Sequence, residues 1–198
     1  MKTTLITGGL GFIGSNICDA LLQKKYTDKC ILLDNFGGYM NPIKDSFIDF
    51  RKQRFPSLKN IIIERCDTSN YKALSSILNK YKPNYIYHTA ALPLAKVSNL
   101  NNEEAKISSV DSTVNIIDAI NLLKNSDQKY QFDRFIYFSS SMVYGDFKKP
   151  TVTEKSEKNP KDAYGIMKLA GEVVTEGLCK LHNIPYTIIR PSAVYGPK

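Results

Sequence analysis

The chain has 198 residues, of which 42% are hydrophobic, 23% charged and 11% aromatic, and its formal net charge is +8. This is the composition of one ordinary globular domain with a sizeable core. The lysines are scattered rather than clustered, which argues against a nucleic-acid partner, and no apolar run reaches the ~18 residues of a membrane span.

The first predicted element is a strand over Thr3–Thr7. The turn Gly8-Gly9-Leu10-Gly11-Phe12-Ile13-Gly14 and a helix over residues 13–24 follow it. A second strand, residues 30–34, ends at Asp34 and opens into a loop over 35–42 that contains Gly37 and Gly38. A short helix is expected near 46–53, a strand over Ile61–Arg65, a helix over 71–80 and a strand over Tyr85–His88. A helix over 104–124, a strand over 134–139, an exposed loop over 146–161, a helix over 164–182 and a strand over 186–190 complete the series. The strands are rich in Ile, Leu, Tyr and Phe and several lack alternation, as strands covered on both faces do. Strand and helix alternate, which predicts an α/β fold: a doubly wound, Rossmann-type parallel sheet with helices on both faces.

The glycine turn satisfies G-x-G-x-x-G through Gly9, Gly11 and Gly14, and G-x-x-G-x-x-G through Gly8, Gly11 and Gly14. Glycine is needed there for a tight turn, for close approach of backbone to a pyrophosphate, and for helix–strand packing. The helix N-terminus at Phe12 and Ile13 would offer free amides and a positive dipole end to the phosphates. Asp34 lies twenty residues past Gly14 at a strand end, where a carboxylate accepts the adenosine ribose hydroxyls. It repels a 2′-phosphate, and no Arg follows it immediately, so NAD is expected over NADP. Asn35 is placed with it as a cofactor contact. Asp67 either faces the adenine or caps the next helix.

Cys18, Cys30, Cys66 and Cys179 form no CxxC pair, and His88 and His182 are remote from any cysteine cluster. Reduced thiols, no disulfide and no metal site are expected. The N-terminus runs directly into the glycine turn without an apolar leader, and a cytoplasmic location is expected.

Tyr164 and Lys168 stand at i and i+4, on one helix face. A free tyrosine titrates near 10 and is a weak base at neutral pH, but a nearby ammonium and a positive nicotinamide stabilise its phenolate. Together with Thr7 to Gly14, His88-Thr89-Ala90-Ala91, Ser139-Ser140-Ser141-Met142-Val143-Tyr144-Gly145 and Arg190-Pro191-Ser192-Ala193-Val194-Tyr195-Gly196-Pro197, this pair gives five motifs in order along the chain. In them the sequence resembles the extended short-chain dehydrogenase/reductases, specifically the NAD-dependent nucleotide-sugar epimerase/dehydratase group. The resemblance implies that Ala90 and Ala91 line the cofactor. Counting back from Val143-Tyr144-Gly145, it puts Ser140 in the catalytic hydroxyl position. It implies a reaction in which Tyr164 removes a sugar hydroxyl proton while NAD takes the hydride. Ser140 polarises the same oxygen, and Lys168 binds the nicotinamide ribose and keeps Tyr164 ionised.

In this group a sugar 4,6-dehydratase needs an Asp-Glu pair straight after the hydroxyl residue. Ser141 and Met142 stand there, so a nucleotide-sugar epimerase is expected ahead of a dehydratase. Another NAD(P)-dependent oxidoreductase and a non-catalytic nucleotide-binding protein are the alternatives. Two departures from the group's pattern stand out. Ser109-Val110-Asp111-Ser112-Thr113 replaces Asn-Val-x-Gly-Thr, so helix packing near the cofactor is expected to differ, and Ala193 replaces an Asn that would touch substrate. The resemblance further implies a small C-terminal substrate domain, expected to be largely absent from these 198 residues, which would form the NAD-binding domain. It also implies a homodimer packed through helices 104–124 and 164–182.

Overall fold

The computed structural model describes residues 1–36, 55, 59–92, 101–147 and 150–196. Among them six strands form one sheet: β1 Thr3–Thr7, β2 Lys29–Asp34, β3 Ile61–Arg65, β4 Tyr85–His88, β5 Arg134–Phe138 and β6 Tyr186–Ile189. The order across the sheet is β3-β2-β1-β4-β5-β6, and every neighbouring pair is parallel. The winding reverses between β1 and β4, the Rossmann-type switch point outside whose carboxyl ends a ligand crevice forms.

Among the described residues the α-helices are α1 Phe12–Gln23, α2 Tyr71–Tyr81, α3 Asn102–Lys106, α4 Ser112–Ser126 and α5 Ala163–Leu181. The sheet is apolar on both faces because alternate residues of one strand enter different cores. Leu5, Ile31, Leu33, Ile86, Phe135 and Tyr137 pack with Leu74 and Leu78 of α2, Ile116 and Ile120 of α4 and Cys179 of α5. Ile6, Cys30 and Leu32 pack on the other face with Leu10 and with Cys18 of α1. All five residues of β1 are buried, which is why its sequence shows no alternation. All four cysteines are buried free thiols. Among the described residues no helix is long and apolar enough to cross a membrane.

The predicted elements appear in the expected order, with shifted ends. The strands expected to close at 139 and 190 stop at Phe138 and Ile189, although Ser139 N–H and Ser141 N–H still donate to the carbonyls of Ile189 and Pro191. The single helix expected over 104–124 starts at Asn102, ends at Ser126 and contains a π-helical turn, Ile107–Asp111. The helix expected at 46–53, Gly37, Gly38, Lys148 and Lys149 lie outside the described residues.

Three helices start where a short polar side chain takes a first-turn amide. Asn70 accepts from Ala73 N–H at 3.1 Å, Asn101 from Glu104 N–H at 2.7 Å, and Asp162 from Gly165 N–H at 2.7 Å. The last cap fixes the turn that carries Tyr164. Asp162→Ala is expected to cost about 1 kcal/mol, read from the urea midpoint, and to fray that turn.

Candidate active site

The glycine turn closes on itself: Gly11 N–H donates to the Gly8 carbonyl at 2.9 Å. Gly8 has φ +63°, and a Cβ there would stand 2.9 Å from Ala90 N, so the turn lies directly against the end of β4. A Cβ on Gly14 would stand 2.4 Å from the Gly8 carbonyl oxygen, which ties the start of α1 to the same turn. Gly11 caps α1 without a side-chain hydrogen bond and no acidic residue sits in the first turn. The opening amides of Phe12, Ile13 and Gly14 are thus presented outward on the positive end of the helix, the arrangement an anionic phosphate fits.

Asp34 ends β2 and is 9% exposed. Its Oδ2 accepts from Leu10 N–H at 3.0 Å and its Oδ1 from Phe36 N–H at 2.9 Å. The carboxylate therefore pins the glycine turn to the strand end and retains lone pairs for ribose hydroxyls. Asn35 donates to Asp67 Oδ2 at 2.8 Å, and Asp67 Oδ1 accepts from Ser69 N–H at 2.9 Å and Ser69 Oγ at 2.7 Å. Burial alone would raise the Asp67 carboxyl, but these donors hold it below the ordinary carboxylate range. The cap of α2 is Asn70, so Asp67 does not cap that helix: it closes the turn one step earlier, beside Asn35.

Sequence reasoning placed His88 in a motif without giving it a task. It is 1% exposed. Its Nδ1 lies 2.7 Å from Thr7 Oγ1 and its Nε2 3.2 Å from Ser112 Oγ. Ser112 spends its one proton on the Ser108 carbonyl at 2.6 Å. His88 Nε2–H must then donate to Ser112, and Nδ1 accepts from Thr7. Thr7 Oγ1 in turn accepts from Ala90 N–H at 3.2 Å. Burial, with Lys168 nearby, pushes the imidazole down to about 3, so it is neutral at any ordinary pH. Through this contact Ser112, which stands where the resemblance implies glycine, reaches across to the sheet.

Ser139, Ser140 and Ser141 lie just past β5 and have different surroundings. The Ser139 hydroxyl is buried with no partner among the described residues. Ser140 is extended, with φ −158°, and its Oγ accepts from Met142 N–H at 3.2 Å as cap of the 3₁₀ turn Ser141–Tyr144. The first turn of α5 packs on that turn, where a Cβ on Gly165 would stand 2.8 Å from the Met142 carbonyl oxygen.

Lys168 is 3% exposed. Its Nζ donates to the Phe138 carbonyl at 2.8 Å and lies 5.8 Å from the Tyr164 ring centre and 5.3 Å from that of Tyr137. Burial pushes the ammonium down to about 8. It keeps its proton at neutral pH, and no ion pair with a carboxylate is found for it among the described residues. A desolvated cation in that position favours an anion beside it, which a tyrosine phenolate provides.

In the sequence Arg190 stands out only as part of a motif, yet it organises this end of the sheet. Its Nε and Nη2 donate to the two carboxylate oxygens of Glu172 at 2.7 and 2.8 Å, and Nη1 donates to Tyr144 OH at 3.0 Å and the Glu154 carbonyl at 3.2 Å. Its partners lie on α5, the 3₁₀ turn and the 150–161 loop, so no local sequence pattern could have signalled them. A cavity of about 230 Å³ opens beside this network, lined by Tyr144, Phe147, Val152 and Asn159 among others. Ser140, Tyr164 and Lys168 are not among its lining residues.

The sequence profile described as "NAD dependent epimerase/dehydratase family" matches residues 4–198. The chain is 31% identical over 196 residues to a putative UDP-glucose 4-epimerase of Methanocaldococcus jannaschii, covering 98% of this chain and 56% of that protein. It is 29% identical over 209 residues to a dTDP-D-glucose 4,6-dehydratase of Dictyostelium discoideum, covering 100% of this chain and 45% of that one. Its fold is similar to that of UDP-glucuronic acid 4-epimerase from Bacillus cereus, solved with NAD, with a TM-score of 0.80, 29% identity, and coverage of 98% and 58% of the two chains. The chain thus spans about half the length of the curated relatives it matches. The match of this family profile to nearly the whole chain means that the chain belongs to the NAD-dependent epimerase/dehydratase family.

Proposed function

We propose that residues 1–198 form the NAD-binding domain of a nucleotide-sugar epimerase, and that Ser140, Tyr164 and Lys168 do its proton chemistry. The observation that carries this reading is the buried Lys168 ammonium within 5.8 Å of the Tyr164 ring, on a helix turn packed against the one that Ser140 caps. The phosphates are read as resting on the amides of Gly11, Phe12, Ile13 and Gly14, with Gly8 giving the turn its shape. Asp34 and Asn35 take the adenosine ribose, Asp67 the adenine edge, and Ala90 and Ala91 the cofactor flank.

Bound NAD supplies the hydride acceptor for the sugar carbon. Tyr164 Oη, as phenolate, takes the proton of the sugar hydroxyl and later returns it. Ser140 Oγ hydrogen-bonds the same sugar oxygen and orients it. Lys168 Nζ, held by the Phe138 carbonyl, stabilises the phenolate and reaches the nicotinamide ribose. The reaction is read as epimerisation rather than water elimination because Ser141 and Met142 supply no carboxyl at the two positions after Ser140. The exposed Ile166, Val173 and Leu181 of α5 fit one side of a homodimer contact, and a cytoplasmic enzyme is consistent with the four unpaired thiols.

The test is to release bound cofactor by denaturation, identify it, and follow turnover of UDP-, GDP- and dTDP-sugars. Ser140→Ala is expected to lower turnover about a hundredfold with cofactor content unchanged. Tight NAD binding with no turnover of any sugar would favour a nucleotide-binding role instead, and a 4-keto-6-deoxy product would favour a dehydratase.

A further inference from the structure

We propose that Arg65 is a specificity-determining residue at the adenosine ribose, admitting a 2′-phosphate that Asp34 alone would repel, so that the chain binds NADP as well as NAD. The inference rests on the reading of the glycine turn and Asp34 as a dinucleotide site.

Three observations carry it. First, β2 and β3 pair in parallel with Asp34 directly opposite Arg65. Register partners on adjacent strands are about 5 Å apart and project to the same face. That face is the α1 side, since Ile61 and Ile63, two and one alternations earlier, pack on its core. Arg65 is exposed at the end of this row, on the rim of the crevice where Asp34 lies.

Second, the guanidinium is held in place. It lies 5.6 Å from the centre of the Phe36 ring. Phe36 has φ +58°, a left-handed conformation that a bulky residue adopts only under constraint. One tie on it is Asp34, whose Oδ1 accepts from Phe36 N–H at 2.9 Å. The acid that faces the ribose thus also sets the ring on which the arginine rests.

Third, the charges are unevenly matched. Both Asp34 oxygens already accept from backbone amides, which draws the carboxylate toward the chain. Arg65 has no ion pair with a carboxylate among the described residues, and its planar fork is of the shape that takes phosphate oxygens in pairs. A 2′-phosphate in the crevice would meet a held cation as well as a partly satisfied acid. The sequence contains no arginine just after Asp34; the sheet supplies one from the neighbouring strand.

The full chain would be titrated calorimetrically with NAD and with NADP, alongside Arg65→Gln, Arg65→Lys and a thermal melt of each. NADP is expected to bind within about tenfold of NAD. Arg65→Gln is expected to weaken NADP by about tenfold or more and NAD by less than about twofold, and Arg65→Lys to recover part of the loss. If Arg65 only covers the Phe36 ring, the melt shifts and the ratio of the two affinities stays put, which overturns the proposal. NAD binding without measurable NADP binding by the parent chain overturns it as well. Failure to bind either dinucleotide overturns the cofactor reading and this inference with it.

Discussion

Replacing Lys168 by Met is expected to lower turnover by about 10³-fold while making the fold more stable at neutral pH. The side chain is 3% exposed, and its ammonium has one carbonyl partner, that of Phe138. Burial moves its proton affinity from 10.5 down to about 8. The unfolded chain therefore holds the Lys168 proton to higher pH than the folded chain. Below pH 8 folding must desolvate a full charge, a penalty of about 3 kcal/mol. Between pH 8 and 10.5 the unfolded state binds more protons, and the penalty fades as pH rises. The stability gap between the variant and the parent should thus close across that window in urea titrations at a series of pH values. Other groups whose unfolded forms titrate there, such as the Cys179 thiol that burial pushes up in the fold, are common to both proteins and cancel in the difference. Loss of the Phe138 contact lowers the variant's gain at every pH without changing the slope. A gap that stays constant from pH 8 to 10.5 would mean that the ammonium is not desolvated. Activity should fall because Tyr164 is left without the cation that favours its phenolate.

The second large effect is expected at Glu172. Glu172→Gln should destabilise the fold by about 3–5 kcal/mol, because the Arg190 guanidinium loses the only anionic partner it has among the described residues while the carboxamide can accept just one of the two bonds. Glu172 is 4% exposed, so water cannot take over its role. The same substitution loosens Tyr144 and the Glu154 backbone, both held by Arg190 Nη1. A double-mutant cycle separates pairing from packing. Glu172→Leu combined with Arg190→Met should recover most of the loss, since apolar replacement of a buried pair is often close to neutral. A combined loss equal to the sum of the single losses would show that the pair is not coupled.

The strands were legible because glycine, proline and charged residues bracket short apolar runs, and in β1 or β5 those runs can only be covered on both sides. Helix starts were legible less well: Asp67 reads as a cap as easily as Asn70, and only the position of the first helical amide separates them. The wide turn at Ile107–Asp111 was hidden, since one extra residue leaves the apolar spacing on each side intact. The site divides in the same manner. Tyr164 and Lys168 share a helix face, and the glycine turn is continuous, so local spacing could mark both as candidates, while the task given to the pair came from the family resemblance. The partners of His88 and Arg190 come mostly from other strands and helices, and packing rather than local spacing brings them together.

The wide turn also bears on how this chain can vary in length. An α-helix advances 100° per residue, so one inserted residue would ordinarily swing the whole upstream segment to a new side. A π-helical turn absorbs the extra residue locally and leaves both flanks where they were. Here the hydroxyls of Ser112 and Thr113 occupy the carbonyls of Ser108 and Ser109 across the loosened turn, at 2.6 and 2.7 Å. Deleting one residue between 107 and 111 would therefore restore a regular helix without turning Asn101 and α3 away from their neighbours. This stretch is an expansion joint already opened by one residue, where that residue can be lost without moving Tyr164 or the sheet.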